Sequence, residues 1–143
     1  MNTIQKWEVE NTQFWNETGI KIGNRNLWIS IPALLLAFAT WMMWSIIIVQ
    51  MQKLGFTLGE TDPAKTKELL YSLPAIAGLA GATLRIPNSF LVPIGGGRNV
   101  IFATTFCLLI SAFGTGVALM SKETPYYIFA LFAVLSGFGG GNF

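Results

Sequence analysis

The sequence predicts an all-α membrane protein with about four spanning helices, and three observations predict it. The chain has 143 residues, of which only 11% are charged and 52% are hydrophobic. Soluble domains carry about 25% charged residues. Mean hydropathy is high, at +0.54. Four long apolar segments lie along the chain, and none shows the strict alternation of a β-barrel strand. Backbone groups in lipid must bond within their own segment, so such segments are helices.

The first segment, residues 27–50, contains no charge. The second, 69–92, contains one, Arg85. The third is 100–120 and the fourth 126–143. A spanning helix needs about 20 apolar residues, which three of the four supply and the last nearly does. Residues 1–26 are polar and mixed in charge, unlike a cleavable signal peptide. Ile4, Trp7, Phe14, Trp15 and Ile22 fall near one helical face of this segment. An interfacial helix and a loosely ordered tail both fit that pattern. The stretch from Met51 to Glu68 reads as the longest loop, with Asp62-Pro63 initiating a turn. "PIGGGRN" and "SKETP" are short connections, which imply antiparallel neighbours. Pro125 suits the first turn of the fourth helix. Lys6, Lys21, Arg25 and Arg98 fall on one side of the membrane, and Lys53, Lys65, Lys67 and Lys122 on the other. The positive-inside rule is tied on that count.

Arg85 raises the chemical question. A central arginine in a spanning helix costs about 2.5–3.5 kcal/mol on insertion scales. Its guanidinium stays charged, so it needs a partner or an aqueous cavity. None of the four segments holds an Asp or Glu. The partner is then an anion, a carboxylate outside these 143 residues, or the carbonyls of a helix end. The planar fork donates two parallel N–H bonds, a geometry that matches carboxylate, nitrate or nitrite. Pro87, two residues on, permits a bend that aims the fork into a cavity. Asn88 adds polarity to the same turn and is a candidate for lining it.

Small residues supply the second pattern. Gly78 and Ala82 form one small-xxx-small pair, and Gly137 and Gly141 another, reinforced by Gly139 and Gly140. Such runs let helices approach closely, or let bare backbone line a path. Gly139, Gly141 and Asn142 are candidates for the second use.

Several functions are excluded. The chain has no histidine and a single cysteine, Cys107, so no metal site and no resident cofactor is expected. No nucleophile–base pair exists, so an enzyme is not expected. A net charge of +2 gives no nucleic-acid footprint. "IGGGRN" lacks the strand and the GK[ST] ending of a phosphate-binding loop.

"NRNLWISIPALLLAF", "GATLRIPNSFLVPIGGGRN" and "GFGGGNF", in that order, resemble the nitrate/nitrite porters of the major facilitator superfamily. The resemblance runs from about Trp7 to Phe143. It implies a twelve-helix fold in two six-helix bundles, with the anion bound between them and access alternating between the two sides. The chain would then be an N-terminal fragment of about four helices from the first bundle. Its partners would be nitrate or nitrite, the lipid bilayer and the missing C-terminal helices. The resemblance further implies that Arg85 contacts the anion and that Phe143 packs beside it. It places the protein in the inner (plasma) membrane as a multi-pass protein, with residues 1–26 cytoplasmic. Exchange of nitrate for nitrite and proton-coupled symport both stay open. The rival expectation is a small four-helix scaffold or assembly protein whose arginine pairs with a partner's carboxylate.

Overall fold

The structure is a computed structural model that describes Glu8 and residues 10–140. All the described secondary structure is helical: α1 (Thr12–Phe14), a π-helical stretch (Trp15–Gly19), α2 (Ile20–Leu54), α3 (Pro63–Gly95), α4 (Gly97–Ala118) and α5 (Tyr126–Gly140). The chain divides into two compact units, Met1–Leu35 and Leu36–Phe143, and the division falls within α2.

The first unit begins its helix well before Leu27, the expected start. Asn11 is the reason. Its side-chain oxygen accepts from the backbone N–H groups of Gln13 and Phe14, at 3.1 and 3.3 Å. Those are two of the orphan donors of a helix N-terminus. Gln13 Nε2 then donates to Glu17 Oε1 at 3.2 Å, one turn along. Residues 12–26 are therefore helical rather than a loose tail. Gly19 is buried beneath the Trp15 ring, where a Cβ would stand 3.2 Å from Cδ2. A side chain at position 19 would displace that indole.

In the second unit α3 also starts earlier than expected, at Pro63 rather than Leu69. Asp62 is its N-cap, accepting from Ala64 N–H at 2.9 Å, and Pro63 fills the first helical position. Proline there loses nothing, because that N–H has no helical partner anyway. The dipeptide read as a turn is thus the helix start. At the other end a single residue, Gly96, joins α3 to α4. Its φ of 74° is a conformation that favours glycine. Its N–H donates to Val92 O at 3.0 Å, and Asn99 Nδ2 donates to Gly95 O at 2.9 Å. The tight interhelical link expected from "IGGGRN" is present. α4 ends at Ala118 instead of residue 120, since Thr124 Oγ1 donates to the Ala118 carbonyl at 2.8 Å and turns the chain. The described part of the fourth apolar segment ends at Gly140, and residues 141–143 lie outside the described residues.

α5 packs between α3 and α4. It runs parallel to α3: Tyr126 and Ser72 share a 2.6 Å hydroxyl contact, and Gly137 lies against Ala77, Ala80 and Gly81 further along both helices. The core gathers Trp44, Ile48 and Met51 of α2 with Leu70 and Leu73 of α3 and Phe129 of α5. Phe56 and Leu58, from the α2–α3 connection, close it at one end, with Phe56 edge-on to Phe129 at 6.4 Å. The Leu58 carbonyl accepts from Tyr126 N–H at 3.2 Å and fixes the start of α5.

Among the described residues, three helices are long and apolar enough to cross a membrane: Thr12–Leu54, Pro63–Gly95 and Gly97–Ala118, with Tyr126–Gly140 a shorter apolar one. Their outer faces carry large apolar side chains, such as Leu35, Phe102 and Phe113. The buried stripe of α4 is more polar, with Thr104, Ser111 and Thr115 alternating with Leu108 and Ala118. Apolar outside and partly polar inside is the arrangement a lipid solvent favours.

The α3 cap gives a test. Asp62→Ala should lower thermal stability in detergent by about 0.5–2 kcal/mol, as N-cap losses do. An unchanged melting transition would mean that Asp62 does not hold this helix start.

Candidate functional site

The buried stripe of α3 runs through Leu70, Leu73, Ala77, Gly81 and Asn88. At about 100° per residue, Arg85 lies about 40° round the helix from Gly81 and about 60° from Asn88. It therefore borders the buried stripe without belonging to it. In this chain the Arg85 side chain is exposed. Gly78 and Ala82 sit two turns and one turn before it on the same flank. Among the described residues nothing comes within 4 Å of where a Gly78 Cβ would stand. The flank that carries Arg85 is thus lined by small residues and open.

α3 remains helical through Pro74, Pro87 and Pro93. Each proline leaves the carbonyl four residues earlier without its helical N–H donor. For Pro87 that carbonyl belongs to Thr83, one turn before the proline and beside Arg85. A cavity of about 420 Å³ lies elsewhere, lined by Gln52, Phe56, Thr57, Glu60 and Lys67 among others. It touches only the start of α3, from Pro63 to Leu70, and Leu70 is already about 22 Å along the helix from Arg85 at 1.5 Å per residue. The expected cavity at the guanidinium is not this one.

Asn88 is the unusual residue of the site. It is 6% exposed, and neither its amide nitrogen nor its amide oxygen has a hydrogen-bond partner among the described residues. Such a group carries its full desolvation cost. The hydroxyls of Thr115 on α4 and Ser136 on α5 are in the same condition. Neither was singled out from the sequence. The signal was present in α4, where Thr104, Leu108, Ser111, Thr115 and Ala118 recur at the spacing of one helical face.

The glycines of α5 serve packing. A Cβ on Gly137 would strike the Ala77 carbonyl and stand 2.9 Å from Ala80 Cβ. On Gly139 it would meet Leu108 and lie 2.8 Å from Thr104 O. On Gly140 it would lie 2.7 Å from Trp41 Cβ. Gly139, a candidate for path lining, has its Cβ direction filled by α4, because the two backbones approach too closely for a side chain. Gly141, Asn142 and Phe143 lie outside the described residues. One turn beyond the Gly137–Gly81 contact, about 5–6 Å, α3 reaches the level of Arg85. Among the described residues no group of His, Cys, Asp or Glu is placed to hold a metal ion.

Unbroken apolar helices, an arginine on an open small-residue flank and glycine-mediated packing fit a multi-pass α-helical membrane protein. The comparisons make this particular. The chain is 41% identical over 140 residues to the nitrate/nitrite transporter NarU of Escherichia coli (strain K12), a match covering 98% of this chain and 29% of that protein. NarU of Salmonella typhimurium matches equally, at 41% identity over 98% of this chain and 29% of its own length. The probable nitrate/nitrite antiporter NarK2 of Thermus thermophilus is 39% identical, again over 98% of this chain and 29% of its own length. The chain belongs to the nitrate/nitrite porter family of the major facilitator superfamily and matches the N-terminal part of these relatives. It spans less than a third of their length. The relatives are transporters or antiporters, not enzymes. No protein-family model matches the chain, and no solved structure does.

The packing of Gly139 is open to test. Gly139→Ala should lower the melting temperature, because overpacking costs about 1–3 kcal/mol. Gly116→Ala, where nothing lies within 4 Å among the described residues, should leave it nearly unchanged. Equal melting of the two variants would remove the packing role.

Proposed function

We propose that the chain is the N-terminal part of a nitrate/nitrite transporter and that Arg85 binds the anion. The observation that carries this reading is a single charge, Arg85, in the apolar part of α3, in a chain whose relatives at 39–41% identity are named for nitrate and nitrite. The open flank of small residues around Arg85 supports it, since an anion and further helices both need room there. The coarse function, transport across a membrane, rests on the family.

The guanidinium donates two parallel N–H bonds to two oxygens of a planar anion. Nitrate and nitrite are both planar and singly charged, so one fork serves both. Arg is also more weakly hydrated than Lys, which suits a binding group in a low-dielectric environment. Phe143 forms part of the pocket wall beside the anion, and Gly141 and Asn142 line the approach to it. The complete transporter contributes further helices, between which and this chain the anion sits. Access alternates between the two sides of the inner (plasma) membrane, and the N-terminus is cytoplasmic.

Substitution of the fork by a point charge is the test. In the complete transporter, Arg85→Lys should reduce nitrate uptake into proteoliposomes at least tenfold, because the planar bidentate geometry is lost while the charge remains. Uptake within twofold of the parent would remove Arg85 from the anion site. Failure of the parent protein to move nitrate or nitrite would remove the transport reading itself.

A further inference from the structure

Asn88 presents the least satisfied polar group on α3. It is 94% buried by its 6% exposure, and both halves of its amide are unpaired among the described residues. Buried amides find partners in nearly all proteins, and an orphan points to a water, an ion or a ligand. Its own helix offers little relief. The hydroxyls of its neighbours Thr83 and Ser89 already donate to the backbone, to Leu79 O at 2.8 Å and Ile86 O at 2.7 Å. The one long polar side chain on the adjacent flank is Arg85, three residues earlier. Side chains three apart on a helix are neighbours, with Cβ atoms about 5–6 Å apart.

We propose that Asn88 is a second anion-contacting residue that also orients the Arg85 fork, a proposal that rests on the anion-binding reading of Arg85. The stoichiometry of donors fits. A guanidinium has five N–H groups, and a bidentate anion uses two. One of the remaining N–H groups donates to Asn88 Oδ1. Asn88 Nδ2 then donates to the anion. A planar oxyanion only accepts, so it satisfies the amide nitrogen, while the amide oxygen needs a donor, which the Arg85 guanidinium supplies. The two unpaired atoms thus ask for one acceptor and one donor, and an anion held by Arg85 supplies the first while Arg85 supplies the second. The amide contributes no charge, so it adds shape selection without over-binding a monovalent ion.

Asn88→Leu separates this role from a structural one. It replaces the amide by an apolar group of similar size, and the Arg85 N–H that it releases belongs to an exposed side chain, so no buried donor is left unserved. In the complete transporter reconstituted in proteoliposomes, the melting temperature should stay level or rise. The KM for nitrate should rise about tenfold or more, the effect of losing a hydrogen bond to a charged group. Asn88→Ala, which fits any site, should show the same rise in KM. Selectivity for nitrate over the spherical anions bromide and iodide, measured by competition, should fall in both variants. An unchanged KM and unchanged selectivity in either folded variant overturn the proposal. So does a lowered melting temperature with unchanged KM, which would show that Asn88 bonds to another helix of the transporter. A parent that transports nitrate while both Asn88 variants behave as the parent refutes this inference alone. A parent that does not transport nitrate refutes the reading beneath it.

Discussion

The close approach of α5 to its neighbours is the constraint on which the second unit depends. Water gives no hydrophobic drive between helices inside a bilayer, so van der Waals contact between well-fitted surfaces must hold them. α5 achieves that fit by omitting side chains. Gly137 admits the backbone of α3, Gly139 that of α4, and Gly140 the Trp41 side chain of α2. Three glycines within four positions therefore face three different helices. In an exposed soluble helix each would cost about 1 kcal/mol against alanine. Here each is the condition for a contact. The opposite device appears at Gly114, whose bare backbone receives the Phe132 ring. Glycine on one helix is thus answered by bulk or backbone on the next.

That packing also decides the direction of the α3 stripe. Ala77 and Gly81 must face α5, so Arg85, about 40° further round, is carried to the edge of the interface. The charge is placed where it does not have to be buried among four apolar helices. Asn88 is carried the other way, into the buried stripe. The same helix rotation thus sets an always-charged fork and an unpaired amide on either side of one line. Pro87 lies between them and removes one backbone donor from the turn.

The sequence disclosed the helices far better than their ends. Long uncharged runs announce spanning segments, because lipid tolerates few alternatives. The polar turns that precede them look like loops by composition. Asn11 and Asp62-Pro63 are cap signals, and they were legible as such by position rather than by polarity. In the site, Arg85 stood out because nothing else in its segment is charged. The burial of Asn88 was not legible, since composition cannot say which face a neighbouring helix will cover. Gly139 shows the same limit. Its small size was evident, but whether α4 or a solute fills the space beside it depends on where α4 runs. Thr115 and Ser136 escaped notice because single hydroxyls are common in membrane helices and usually bond to their own backbone.

Anion binding in this chain hinges on Arg85 as the fork. A structure of the complete transporter with nitrite or nitrate bound tests that claim most directly. The prediction is two Arg85 guanidinium nitrogens, each about 2.7–2.9 Å from a different oxygen of the anion, in a shared plane. A bound anion out of hydrogen-bonding reach of Arg85, with the guanidinium paired to a carboxylate instead, would contradict it.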